Sequence, residues 1–431
     1  MRNRLLIIAA ALLLAFAGAG GLFAQNSAEV PADPFAEGQD PFDTAVFDQA
    51  VQLGAEQDSK AALETQFGGN FVMNASAATT ADFDWYTAAG SFSGKAFVKV
   101  SVPDYGQAYL SYGFSKNLSQ GAGGTLPLGA GTASGDLFSA EFALSEFYLG
   151  FDIAQVVFFR VGNQLLAWGP SFIWTPVDFV NLQRADPLAS FDLRRGKPGV
   201  RATVPLGISN VFLFADLTGT VTPTGPGGSL VVNDPLDTAN LAARWDITLL
   251  GFELALTGYV GSSIQNTYGF DFSGRMLGFD VYGELAMAFP YGSYDFSYAS
   301  SLGLQRSFGE LSYWSVAGEF FVNSAGTDDT TSYPGLFVAG DFIPFYVGKY
   351  YAYAALTRTH IGIDGIGATL AGFVNFSDRS YLLRLSTNIS VPRLVPFTFG
   401  ISYAGGGAGK EFTYFSGNNA LTADLRVSFE F

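Results

Sequence analysis

The sequence contains no cysteine and one histidine, His360. Disulfide stapling and anchoring through a lipidated N-terminal cysteine are therefore excluded, and a zinc site lacks its usual ligands. Charge is scarce as well: 14% of 431 residues are Asp, Glu, Lys or Arg, against about a quarter in ordinary soluble domains. Cations are scarcer than acids, 22 against 38, and the formal charge of −16 disfavours nucleic acid as a partner. Beyond residue 24 no apolar run reaches the roughly eighteen residues that a membrane-crossing helix needs, so a helical bundle is excluded.

What is abundant is Gly (52), Phe (42) and Tyr (20), in a chain that is 48% hydrophobic. An apolar surface without apolar runs is what period-two alternation produces, because every second residue of a strand faces the other way. Leu421, Ala423, Leu425, Val427, Phe429 and Phe431 alternate with Thr422, Asp424, Arg426, Ser428 and Glu430. Phe92, Gly94, Ala96, Val98, Val100 and Val102 alternate with Ser91, Ser93, Lys95, Lys99 and Ser101, with Phe97 as the exception. Leu241, Ala243, Trp245, Ile247 and Leu249 do the same, as do Tyr381, Leu383, Leu385 and Ile389, where Leu382 interrupts the polar face.

The pattern predicts an all-β chain, a transmembrane antiparallel β-barrel of 16–18 strands over residues 61–431. Short turns are expected at 102–106, 205–210, 290–293 and 391–396. Long Gly-, Ser- and Thr-rich loops are expected at 117–136, 219–238, 324–334 and 405–420, and the count is eighteen if 335–348 belongs to a loop. Residues 1–24 read as an export signal cleaved near Ala24: Arg2 and Arg4, then an apolar middle, then a small-residue end. Residues 25–60, rich in acid and interrupted by Pro31, Pro34 and Pro41, read as a periplasmic tail or a plug.

One segment concentrates chemistry. After the strand expected at 156–166, the chain runs through Trp168, Gly169, Trp174, Pro176, Asp178, Arg184, Asp186, Asp192, Arg194, Arg195 and Lys197. Either this is a rigid outer loop, or it folds into the lumen as a pore constriction. In the second case Asp178, Asp186 and Asp192 would oppose Arg184, Arg194, Arg195 and Lys197 and set a transverse field along the substrate path. Gly162, Gln164, Trp168, Gly169, Pro176 and Asp178 resemble the Gly-x-Gln…Trp-Gly…Pro-x-Asp segment of outer-membrane porin and export-channel families, including alginate-export-like barrels. The Phe- and Gly-rich texture and terminal Phe are also similar to spirochaetal outer-membrane barrels.

That resemblance implies a bacterial outer-membrane location and a channel for small hydrophilic solutes. It also implies outer-membrane lipid and the barrel-assembly machinery as partners, the latter through Leu425, Val427, Phe429 and Phe431. No cofactor, metal or catalytic residue is expected. His360, in an expected turn, has no nucleophile motif near it, so the chain does not read as an enzyme. A hydrophobic-ligand channel with 25–60 as hatch, and a surface adhesin or envelope scaffold, are the alternatives. Nothing in the sequence decides for or against a homo-oligomer. Tyr350, Tyr351 and Tyr353 suit either an aromatic girdle or a sugar path.

Overall fold

The computed structural model describes residues 63–431, apart from 80–84, 104, 121–140, 182–193, 224–229, 263, 310–312, 392–394 and 415–418. The expected signal and acidic stretch thus lie outside the described residues. The strands are β1 (Glu64–Thr79), β2 (Trp85–Val102), β3 (Gly106–Gln120), β4 (Glu141–Ile153), β5 (Val157–Gln164), β6 (Lys197–Leu206), β7 (Ser209–Asp216), β8 (Val221–Pro223), β9 (Leu230–Val232) and β10 (Asn240–Leu249). They continue as β11 (Phe252–Val260), β12 (Thr267–Met276), β13 (Phe279–Ala288), β14 (Ser297–Phe308), β15 (Trp314–Asn323), β16 (Tyr350–Arg358), β17 (Ile366–Asn375), β18 (Ser380–Ile389), β19 (Phe397–Gly405) and β20 (Ala420–Glu430).

Strands β8 and β9 form a small hairpin of their own, and the other eighteen form one antiparallel sheet closed by β20 against β1. Closure leaves no sheet edge for lipid to meet, which is why a barrel and not an open sheet can cross a bilayer. Eighteen was the count expected if 335–348 is a loop, and helix α1 (Tyr333–Ala339) lies inside that loop.

The side-chain parity also closes. Phe429 stands opposite Phe71, Phe71 opposite Gly94, Gly94 opposite Phe114, and so on around the wall to Val427 opposite Phe397. A slip of one residue anywhere would turn one strand's apolar set into the lumen. Outward residues such as Leu241, Trp245, Leu256, Leu302 and Leu370 are exposed. In water each would forgo about 1.5–3 kcal/mol of burial, so this face calls for hydrocarbon surroundings. Leu382, the interruption noted in β18, points inward and packs on an aromatic cluster around Trp174.

One end of the barrel carries tight turns. Leu250–Gly251 and Leu277–Gly278 both have positive φ at the two central positions, 55° and 81° in each case. That is the geometry whose twist matches paired strands, and glycine at the second position accepts it without strain. The expected turns at 102–106, 205–210 and 391–396 fall at this end. The one expected at 290–293 does not. It lies between β13 and β14 at the opposite end, with the long loops, and is short because Tyr291 and Tyr294 pair with each other.

Candidate functional site

The connection between β5 and β6 lies against the inner wall. Leu166 and Trp168 pack with Val177 and Val180 on Phe214 of β7, Ala242 of β10 and Tyr259 of β11. The chain then advances along the wall. Gly169, at φ +101°, lies so close to the Glu284 carboxylate of β13 that a Cβ would overlap it. Ser171 donates its N–H to Glu284 Oε1 at 2.8 Å, and Val177 donates to Oε2 at 2.9 Å on the way back. Between them Phe172, Ile173 and Trp174 donate their N–H groups to Glu319 of β15, at 3.1, 3.1 and 2.7 Å. The Ser171 hydroxyl meets that of Ser301 on β14 at 2.7 Å.

Trp174 marks the far point. Its ring stacks on Phe321 of β15 (centroids 5.3 Å, planes 4° apart) and packs against Tyr351 of β16 and Phe373 of β17. Its indole N–H donates to the Phe345 carbonyl at 2.9 Å. Two carboxylates therefore hold five backbone amides, each of which would cost about 1–3 kcal/mol if buried without an acceptor. The base of the loop is tied too: Asn181 donates to Leu166 O and to Asp178, and Arg194 forms an ion pair with Asp178.

These contacts account for the six family-like positions. Gly162, at φ +136°, is pressed against the Phe147 carbonyl, and Gly169 against Glu284. Gln164 is fully buried and donates to Arg160 O at 3.2 Å. Trp168 belongs to the first apolar cluster, and Pro176 and Asp178 are buried.

The charged residues are arranged differently from an open row of acids facing bases. Asp178 and Arg194 bond directly to each other. Lys197 is buried against Asp216 (2.9 Å) and the Tyr259 hydroxyl (3.1 Å). Burial explains both, since a charge taken from water needs compensation at contact distance. Arg195 is exposed. Arg184, Asp186 and Asp192 lie outside the described residues.

The wall across from this loop carries a different surface. On the inward faces of β2 to β6, Phe97 stacks on Tyr109 (5.9 Å) and Tyr109 on Tyr148 (5.2 Å). The Arg160 guanidinium sits over the Tyr148 ring at 4.9 Å. Arg160 stands directly opposite Arg201 in the β5–β6 register, and Lys99 directly opposite Tyr109 in β2–β3. Lys95 is paired with Glu146 at 3.4 Å, but among the described residues no carboxylate lies within ion-pair distance of Arg201. Two other inward arginines hold carboxylates: Arg244 holds Asp271 with two bonds (2.6 and 2.9 Å), and Arg384 holds Asp424 with two (2.7 and 2.8 Å).

At the loop end, Glu411 ties three connections to the wall. It accepts from Phe345 N (2.6 Å), the Tyr351 hydroxyl (2.8 Å) and Asn375 Nδ2 (2.7 Å), while its own N–H donates to Asp378 (2.7 Å). Burial pushes this carboxyl up to about 8, with Asp378 acting in the same direction against its hydrogen-bond donors. Of the tyrosines noted in the sequence, Tyr350 is exposed on the outer face, whereas Tyr351 and Tyr353 point inward and pack around Phe373 and Trp174. His360 lies in the turn after β16, stacked on Tyr313 (4.6 Å) and 2.6 Å from Asp364.

Sequence reasoning missed Glu284, Glu319, Arg160 and Arg201. The signal was there in weak form: each is a charge at an inward position of an alternating strand, Glu319 and Arg160 being the only ones in theirs, and Phe97 was visible as an aromatic on the polar face.

No family model matches the sequence, and no curated protein does. Solved structures do match in fold. OccAB1 of Acinetobacter baumannii is 10% identical, with a TM-score of 0.54 over 88% of this chain and 99% of its own. A BenF-like porin from Pseudomonas fluorescens Pf-5 is 10% identical, at 0.54 over 85% and 98%. OpdK of Pseudomonas aeruginosa, solved with vanillate, is 11% identical, at 0.52 over 85% and 98%. The chain has the closed eighteen-stranded antiparallel fold of these porins, and the solved structures bear on the porin-like part of the sequence resemblance only.

Proposed function

We propose that this chain is a bacterial outer-membrane channel that passes small hydrophilic solutes and favours anionic ones. The observation that carries this is the Arg160–Arg201 pair. Two inward cations stand opposite each other, beside Lys99 and a ladder of stacked rings, on a wall that the described part of the β5–β6 loop leaves open. Two guanidinium groups on adjacent strands of the inner wall, with Lys99 nearby, give this side of the lumen a positive field. A weak field spread over several sites draws an anion in without holding it, as conduction requires.

The stacked tyrosine and phenylalanine ladder backs these cations, with Arg160 lying over the Tyr148 ring. Vanillate, present in the OpdK structure, is an aromatic acid, and compact aromatic carboxylates are the first solutes to try. Residues 1–24 as export signal and 25–60 as tail or plug complete the proposal. So does the narrower family likeness of the Gly162–Asp178 segment to export-channel and spirochaetal barrels.

The test is a reversal potential in planar bilayers under a salt gradient. Wild type is expected to prefer chloride, and Arg160→Ala with Arg201→Ala to shift the potential toward the cation. Cation preference in wild type, or no shift in the variant, would remove these arginines from the conduction path. Absence of any conductance would reject the channel itself.

A further inference from the structure

The outer wall carries a second cationic feature with no part in conduction. Following the register around the barrel, the outward face of the described strand residues holds three charged side chains, all basic: Lys116, Arg306 and Arg358. Lys116 is buried near the loop end of β3. Arg306 and Arg358 are together at the tight-turn end, on β14 and β16, with β15 between them. They are two strand spacings apart across the wall and two residues apart along it, which puts their backbones about 12 Å apart.

Each lies over an outward aromatic ring: Arg306 over Phe279 at 5.1 Å and Arg358 over Trp314 at 4.8 Å. Trp314 stands directly opposite Arg358 in the register, and Phe308 opposite Trp314. Arg358 is further fixed by its Nε, which donates to the His360 carbonyl at 2.8 Å. This leaves the two terminal nitrogens of a held, planar fork with no part in that bond. Arg306 is exposed, with its guanidinium beside the Gly278 turn, 3.6 Å from where a Cβ there would stand.

An arginine on a lipid-facing wall is costly near the bilayer centre and tolerated near the interface. Snorkelling alone would let each reach any water. A guanidinium fork held in place, with a second arginine two strands away, is the kind of donor set that recognises a phosphate diester. At this depth, on an otherwise apolar face, the anion within reach is the headgroup of a membrane lipid.

We propose that the outer wall over β13 to β16 binds the headgroup of an anionic phospholipid. Its phosphate lies between Arg306 and Arg358, and its glycerol end rests on Trp314. The site rests on the membrane-barrel reading but not on the solute the barrel conducts.

The test uses the full chain in detergent micelles, studied by native mass spectrometry with phosphatidylglycerol or phosphatidylcholine of identical acyl chains. Retained phosphatidylglycerol should exceed phosphatidylcholine by roughly thirtyfold, the ratio expected from two arginines at a membrane surface. Arg306→Ala with Arg358→Ala should reduce it to the phosphatidylcholine level, while heat-modifiable gel mobility shows the barrel still folded. Arg306→Lys with Arg358→Lys should keep a reduced preference, because charge remains and the fork is lost. Equal retention of the two lipids by wild type would overturn the site, and so would a preference that survives the double alanine variant. Displacement of the lipid by millimolar inorganic phosphate would assign the arginines to free anion instead and also overturn it. A chain soluble without detergent would sink the membrane reading itself, which is a distinguishable result.

Discussion

Trp174, in the loop that leaves β5, stacks on Phe321 of β15, eight strands further round the wall. A side chain can be that far from its own strand only if the loop travels inside the barrel. The loop's amides are then out of reach of bulk water, and Glu284 and Glu319 supply the acceptors that water would have supplied.

Removing that anchor should loosen the loop without unfolding the barrel. Trp174→Ala loses a fully buried ring, a change worth about 3–5 kcal/mol in packed sites. Single-channel records should become noisier, with a larger mean conductance, while the β-sheet circular dichroism is unchanged. A steady current at the wild-type level would place the ring outside the conduction path.

Glu319→Ala leaves three loop amides without their acceptor, at about 1–3 kcal/mol each. The expected consequence is faster trypsin cleavage at Arg194 or Arg195 in the micelle-bound protein. Glu319→Gln, which keeps one carbonyl oxygen, should be cut at an intermediate rate. If the alanine variant resists trypsin as wild type does, the carboxylate does not hold the loop.

Gly169→Ala probes the same latch from the other partner. The added methyl meets the Glu284 carboxylate, and φ +101° is strained for any L side chain. Its trypsin sensitivity should match that of Glu284→Ala, and the double variant should be little worse than either alone, since both act through one contact.

Some of this was legible in the sequence and some was not. Period-two alternation set strands β10, β18 and β20 nearly to the residue, because a lipid face and a water face differ along every strand. The loop segment stood out through Trp168, Gly169 and Asp178, but its direction did not, because the contacts that decide it lie on strands more than a hundred residues away. Nothing near Ser171 in the sequence points to Glu284. Turn placement at 290–293 misled for a related reason: a short connection looks the same at either end, and only the strand count assigns it.

The cap built around Glu411 should respond to pH. Its carboxyl is pushed up to about 8 by burial, against about 4.3 in an unfolded chain. Below the unfolded value both states hold the proton and the cap keeps its full stability. Between the two values only the folded state holds it, so stability falls as pH rises and is lost through about 8. Protease sensitivity of loop 324–349 should therefore increase from pH 5 to pH 9, and Glu411→Gln should flatten the dependence. An equal slope in the variant would assign the response to another group.

Residues 165–181 lie inside the barrel, fixed to its wall. The absence of native cysteine allows a direct measurement, Ser171→Cys with Ser301→Cys under mild oxidation. The two hydroxyl oxygens are 2.7 Å apart, and a disulfide needs its sulfurs at about 2 Å, so near-complete cross-linking is expected, seen as a faster-migrating band after unfolding without reductant. A double variant that keeps two free thiols in the folded barrel would contradict it.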